Sequence, residues 1–392
     1  MKILIYLTGG LHWIGGVQYT RNLLRALALL PASERPQLVL QISSKNRLAG
    51  FEDEFRTYPN VLIDAPLKVG HDTLSKLRRA FRKLSGRELQ GKFLLSDECV
   101  VAFPAKGPNI PGPSQKIYWV PDFQYKHFPE FFSSEELKSR DAMYNRMFAE
   151  PGILVLSSEA AKQDFHRFFP QFEEKPVRIL HFVSTFAPDD FAADPLSVCT
   201  RFALPNEFVY LPNQLWQHKG HDTAFRALGI LKQRGIQIPL VCTGSNEDYR
   251  TNEYGRHLDD LLKSYSIHGQ TLRLGLLDRR DQIQLYRQAS LVLQPSRFEG
   301  WSTTVEDARA LGKTIVLSDI DVHKEQNPAN AVFFAVDDHY DLAEKLLAAW
   351  NQASHQPRLE NERLARREAV ERSLRYARDF LSIAKAAAAG RT

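Results

Sequence analysis

The chain has 392 residues, 43% apolar and 25% charged, which fills about two cores of ~150–200 residues each and excludes a disordered chain. A net charge of +5 on this length is too small to argue for nucleic-acid binding. Three widely spaced cysteines, Cys99, Cys199 and Cys242, argue against a disulfide framework and a paired-cysteine zinc site, and fit a reducing cytoplasm. The apolar run at the N-terminus is too short for a signal-peptide core, and no run reaches the roughly 18 residues of a membrane span.

A buried strand is expected over residues 2–7, then a glycine-rich loop over 9–16. A helix follows over 17–30, with Leu23, Leu24, Leu27 and Leu30 at helical spacing. Strand, glycine-rich turn and helix together open a doubly wound α/β domain. Apolar runs predict further strands at 37–42, 93–95, 100–103, 117–120 and 153–157, with 180–182 as the last of this half. Residues 184–205 carry Pro188, Pro195 and Pro205 among mixed polar residues and read as a linker. A second α/β set follows, with strands at 208–211, 240–243, 272–274, 291–294, 314–318 and 332–336, and helices such as 221–234 and 281–289 between them. A long Arg/Glu/Ala-rich helix over 358–388 pairs Glu368 with Arg372 and Glu371 with Arg375 at i,i+4. The expected fold class is α/β, with two Rossmann-like doubly wound domains in tandem. Ligands bind beyond the carboxyl ends of such sheets, so the default site is the cleft between the domains.

The most informative segment is Gln294-Pro-Ser-Arg-Phe-Glu-Gly-Trp-Ser-Thr-Thr-Val-Glu-Asp-Ala-Arg-Ala-Leu-Gly312. It follows a strand and opens a helix. Thr303 with Glu306 three residues on fits a capping box, and Gly312 fits a left-handed stop. The helix N-terminus would turn free N–H groups and a partial positive charge to the cleft, which suits a diphosphate. Glu299 lies just before it and Asp307 about one turn inside. This run resembles the E-x7-E motif of retaining glycosyltransferases of family 4, which have the GT-B fold. Glu299 falls on the first acidic position and Asp307 on the second. The resemblance implies that Glu299 binds donor-sugar hydroxyls near the reacting centre and that Asp307 accepts hydrogen bonds from the ribose. Asp307 is one methylene shorter than the usual glutamate. Glu306 is the rival for the ribose, with the capping box as its structural alternative. Gly300, Trp301, Ser302 and Thr303 are expected to line the donor as well.

Shorter segments extend the resemblance. In Leu211-Pro-Asn-Gln-Leu-Trp-Gln-His-Lys-Gly220 the family usually carries an Arg and, six residues later, a Lys that neutralise the donor diphosphate. Lys219 matches the Lys. Asn213 stands at the Arg position with hydrogen-bond donors but no charge, and His218, His221 or Arg297 could compensate. In Gly15-Gly16-Val17-Gln18 a Gly-Gly turn lets backbone approach the donor; it is not a dinucleotide fingerprint. Where many relatives read His-Asp, this chain reads Pro121-Asp122. Asp122 is expected to contact the donor sugar or the acceptor hydroxyl, with an Asx-turn as its structural alternative. Gly244, in Thr243-Gly244-Ser245 at a strand end, is expected to line the donor base or phosphate. Glu299, Asp122 and Lys219 are thus the catalytic candidates. The implied domains are an acceptor side over 1–190, a nucleotide-sugar donor domain over 200–360, and a C-terminal helix over 361–392 packing back on the first domain.

Asp319 and Asp321 match a D-x-D pattern that holds metal in the other large glycosyltransferase fold. The chain lacks that layout, and Lys219 with a helix N-terminus can do the cation's work, so no metal or other cofactor is expected. Leu74, Leu77, Phe81 and Leu84 alternate with Lys76, Arg78, Arg79, Arg82 and Lys83. This basic amphipathic helix over 74–84 either docks on an anionic membrane carrying a lipid-linked acceptor or is a solvated surface face. His323-Lys-Glu-Gln326 recurs in similar chains, and the sequence alone gives it no physical role. The implied activity is retaining, metal-independent transfer of a hexose or deoxyhexose from a nucleotide-diphosphate sugar to a polysaccharide or glycolipid acceptor. The setting would be O-antigen or lipopolysaccharide assembly on the cytoplasmic side. A nucleotide-sugar epimerase of the same fold and a sugar-binding scaffold without turnover are the rival readings.

Overall fold

The computed structural model describes residues 1–10, 13–43, 55–56, 58–64, 98–105, 115–245, 253–353 and 359–390. The basic segment 74–84 and the expected strand at 93–95 lie outside the described residues.

Two all-parallel sheets carry the fold. The first runs in the order β3-β2-β1-β4-β5-β6-β7, built from β1 (Lys2–Tyr6), β2 (Gln37–Gln41), β3 (Val61–Asp64), β4 (Val101–Ala105), β5 (Gln115–Val120), β6 (Ile153–Leu156) and β7 (Val177–Ile179). The second runs β10-β9-β8-β11-β12-β13, from β8 (Val209–Leu211), β9 (Leu240–Cys242), β10 (Thr271–Arg273), β11 (Leu291–Gln294), β12 (Ile315–Ser318) and β13 (Ala331–Phe334). Helices cover both faces, so central strands are buried on both sides; Ile3, Leu4 and Ile5 in β1 and Leu291, Val292 and Leu293 in β11 are fully buried. That is why they read as unbroken apolar runs.

The strand at 61–64 was not expected, and the one placed at 180–182 lies three residues earlier, at Val177–Ile179. Both are edge strands. Residues 61–63 are not fully buried, and Val177–Ile179 has its middle residue exposed, so neither gives the continuous apolar signal of a central strand.

The chain reverses direction across each sheet between neighbouring strands, β1 and β4 in the first and β8 and β11 in the second. Such switch points open a crevice at the carboxyl ends of the strands. The long helix Leu359–Ala388 ties the two units together. Near its start Glu362 accepts from Arg287 Nε of the second domain at 2.9 Å, in a buried pair. Further on, Tyr376, Ala377, Phe380, Leu381 and Ala384 join the core of the first domain, with Phe380 edge-on to Phe103 in β4 at 5.1 Å. Burying each large apolar side chain there contributes about 1.5–3 kcal/mol. Among the described residues no helix is long and apolar enough to cross a membrane.

Candidate active site

The second domain's crevice brings together two segments 80 residues apart. From β8 the chain runs into a short 3-10 turn, Gln217–Lys219, and stops at Gly220 with φ +68°. A Cβ there would sit 2.0 Å from the carbonyl oxygen of Pro295, so only glycine lets this loop touch the one that leaves β11. Across that contact Lys219 Nζ meets Glu299 Oε1 at 2.6 Å, with the two side chains 16% and 10% exposed. The same oxygen accepts from Ser296 Oγ at 2.7 Å and Gln294 Nε2 at 2.8 Å. The bonds that Glu299 accepts from described residues are all made through Oε1.

Asp122 faces this pair from the first domain. A Cβ on Gly300 would lie 2.8 Å from Asp122 Cβ and 2.2 Å from Pro121 O, so the two domains touch beside Glu299. Asp122 Oδ1 accepts from Gln124 N at 2.9 Å, which is the Asx-turn. Burial raises its carboxyl, and the charge of Glu299 adds to the shift, against the backbone bond from Gln124 and the cations Arg140 and Lys219. The three catalytic candidates therefore form one electrostatic cluster.

Several other expectations change in three dimensions. The helix is Thr303–Ala310 and its N-cap is Ser302, whose Oγ accepts from Val305 N at 3.4 Å; Thr303 is the first helical residue. The expected Thr303–Glu306 capping box is therefore not formed. Glu306 is buried and accepts from Arg309 Nη1 and Gln326 Nε2, each at 3.1 Å, and burial raises its carboxyl. Ser302 is held on both sides by Gln326, which accepts from its N–H and donates to its carbonyl at 3.1 Å each. Gly312 does end the helix region with φ +64°.

Asn213, at the position of the usual arginine, is tied to a neighbouring strand end. It is buried, donates to Gln294 Oε1 at 2.7 Å, and so braces the residue that holds Glu299. Of the three candidates to replace the missing arginine, Arg297 is committed elsewhere. Arg297 forks onto Asp222 at 2.8 and 3.0 Å and reaches Asp337 at 2.6 Å, while His218 and His221 are buried. Asp307 is buried too, and Arg279 grips both its oxygens at 2.6 and 2.7 Å. Sequence reading missed Arg279; its place just after the N-cap of the helix following β10 was the available signal. Trp301 is tied to the first domain. Its Nε1 donates to Phe182 O at 2.9 Å and its ring stacks on His181 at 4.2 Å.

The glycines divide. Gly244, at φ +129°, allows close approach of two strand-end loops, since a Cβ would lie 2.5 Å from Asn213 O. Gly16 packs its helix against β1's exit, where a Cβ would lie 2.8 Å from Gly9 N. Among the described residues a Cβ on Gly15 would meet only the Trp13 ring, at 3.2 Å. Asp319 accepts from Val336 N at 3.0 Å and lies 3.6 Å from Lys324. Among the described residues no three His, Cys, Asp or Glu side chains converge as metal ligands.

Two buried histidines are expected to make the domain acid-sensitive. His323 donates through Nδ1 to Ser318 O at 2.9 Å. Burial pushes His323 down to about 4 and His221 to about 3. Both start near 6.5 in the unfolded chain, so below that pH the unfolded state binds protons that the folded state refuses. Their contribution to stability is fully present above about pH 6.5 and is lost as the pH falls, towards about 4 for His323 and about 3 for His221, at up to about 1.4 kcal/mol per pH unit for each histidine. Urea melts at pH 7 and pH 5 check this. His323→Asn should lose less stability between the two than the parent protein, and equal losses would show that His323 is not a source.

Two Rossmann-like parallel-sheet domains with facing crevices define the GT-B fold of glycosyltransferases. Residues 201–366, the second domain, match the family model of Glycosyl transferases group 1. Over the whole chain the structure is similar to Alr3699/HepE of Anabaena in complex with UDP and glucose, with TM-score 0.65 and 16% identity over 97% of this chain and 99% of that one. It is also similar to sucrose-phosphate synthase of Thermosynechococcus elongatus, with TM-score 0.63 and 14% identity over 98% of each chain. A third similar structure is WaaG, a glycosyltransferase involved in lipopolysaccharide biosynthesis, with TM-score 0.56 and 13% identity over 99% of this chain and 98% of that one. No protein of curated function matches the chain in sequence.

Proposed function

We propose that the protein is a retaining glycosyltransferase that moves a hexose or deoxyhexose from a nucleotide-diphosphate sugar to a polysaccharide or glycolipid acceptor. The observation that carries this reading is the meeting of Lys219 and Glu299 at the switch point of the second sheet, 2.6 Å apart and facing Asp122. In the reaction the anomeric carbon gains positive charge as the bond to the diphosphate lengthens, and the leaving phosphate gains negative charge. Lys219 has three N–H donors. It can keep Glu299 while donating to the departing phosphate, and fixed donors of this kind are the main lever on such a barrier. Glu299 Oε2 takes donor-sugar hydroxyls and holds the ring for front-face attack, so that the acceptor hydroxyl enters on the side from which the phosphate leaves and passes its proton to the departing phosphate oxygen. The acceptor is oriented from the first domain, beside Asp122.

The similar structures with UDP, and WaaG's part in lipopolysaccharide biosynthesis, support a uridine diphosphate donor and a cell-surface glycan acceptor. The work would be done on the cytoplasmic side, with no metal required. Thermal-shift measurements with UDP, GDP and dTDP test the donor. A saturating cognate nucleotide at 100 Kd adds about 2.7 kcal/mol, a rise of a few degrees. Transfer from the matching sugar nucleotide should then proceed in EDTA. Loss of transfer on chelation, restored by Mn²⁺ or Mg²⁺, overturns the metal-free reading. A new sugar nucleotide without transfer points to an epimerase, and nucleotide binding without any turnover points to a scaffold.

A further inference from the structure

The His323-Lys-Glu-Gln326 run acquires a physical role at the domain boundary. It sits on the short helix Asp321–Gln326, which leaves β12 at the cleft. Opposite it, in the first domain, starts the helix Glu159–Phe168. Like any helix it opens with N–H groups that have no partner within the helix. Ser158 Oγ takes that of Ala161 at 3.0 Å. The N–H groups of Glu159 and Ala160 are taken by Glu325 of the other domain, at 2.8 and 3.2 Å. The first turn of a first-domain helix is thus completed by a second-domain carboxylate, whose charge also favours that end of the helix dipole.

Glu325 Oε1 also meets His181 Nε2 at 2.8 Å. His181 stacks on Trp301, and Trp301 Nε1 is tied to Phe182 O. Both His181 and Phe182 follow β7 in the first domain. On the other side of Glu299, Phe298 packs on His127 and Phe128, with ring centres 5.0 and 6.1 Å apart. Gly300 lies against Pro121 O, where there is no room for a Cβ. Phe298, Gly300 and Trp301 therefore all lean on the first domain, while Glu299 between them turns back to Lys219. Gln326, next to Glu325, pins Ser302 at the end of the same run.

We propose that Glu325 is a positioning residue, a latch that holds the cleft closed on residues 298–301 and so fixes Glu299 in its working place. The second half of this proposal rests on the reading of Glu299 as the donor-site carboxylate. Opening the cleft would free Glu159 N, Ala160 N and His181 together and release the supports on both sides of Glu299. A misplacement of about 1 Å at a reacting centre can cost on the order of a hundredfold in rate.

Small-angle X-ray scattering and steady-state kinetics on the full chain test this, with and without UDP. Glu325→Ala should raise the radius of gyration of the nucleotide-free protein. It should also lower kcat by tenfold or more, on the order expected for lost alignment, while the donor KM moves by less than threefold. Gly300→Ala should shift scattering in the same direction, because its Cβ wedges against Pro121 O. If Glu325→Ala does not fold, Glu325→Gln takes its place, since it keeps one acceptor oxygen and loses the charge. An unchanged radius of gyration overturns the latch. A larger radius with unchanged kcat overturns the positioning of Glu299. A parent protein that transfers to no acceptor defeats the functional reading instead, and the scattering result then decides the latch alone.

Discussion

Glu299→Gln should lower turnover by on the order of a hundredfold, the scale seen when one positioned electrostatic group is removed from an active site. The substitution keeps the shape of the side chain and an acceptor oxygen for Ser296 Oγ and Gln294 Nε2, both within 2.8 Å in the parent. The local scaffold therefore survives and only the charge is lost. Nucleotide binding should hold or tighten, because Lys219 then meets the diphosphate with no competing carboxylate. The combination of low kcat with undiminished UDP affinity separates loss of charge at the sugar from general damage to the site. Far-ultraviolet circular dichroism and melting curves should show the fold intact. Full activity in this variant would mean that the acidic motif has been misread.

Lys219→Ala should lower turnover more than tenfold and weaken UDP binding as well, since it removes the ammonium placed to meet the departing phosphate. It also strands Glu299, only 10% exposed in its side chain, without its counter-ion. Removing one partner of a desolvated pair is costly, while removing both is much less so. The double variant Lys219→Ala, Glu299→Gln should therefore melt at a higher temperature than Lys219→Ala alone. Its kinetic defect should fall well short of the product of the two single defects, as expected for residues acting as a unit. Kinetics unchanged by Lys219→Ala would remove that residue from the site.

The same pair shows what can be read without a structure. Both residues were identified from their local surroundings, a strand exit and a turn into a helix in each case. Their separation in sequence says nothing about distance. They meet because β8 and β11 are neighbours at the point where the second sheet reverses its order. The partners of side chains whose roles depend on direction were not legible in the same way. Arg297, Asn213 and Trp301 all sit in the right segments. Asp222 with Asp337, Gln294, and Phe182 with His181, respectively, claim them.

The sequence by itself determined the two α/β domains, the order of their central strands along the chain and the two segments that carry the charged pair. Strands buried on both faces must be continuously apolar, and a glycine or a capping residue marks a turn wherever backbone geometry demands one. Only the tertiary structure decided which residue caps the helix after Glu299. Ser302 and Thr303 are both able to cap in isolation, and it is Ser302 that Gln326 grips from another helix. Only the tertiary structure, too, gave His323-Lys-Glu-Gln326 its place between the domains. The direction of a polar side chain is set by whichever partner the fold brings within about 3 Å, and for Glu325 those partners lie some 144 to 166 residues away.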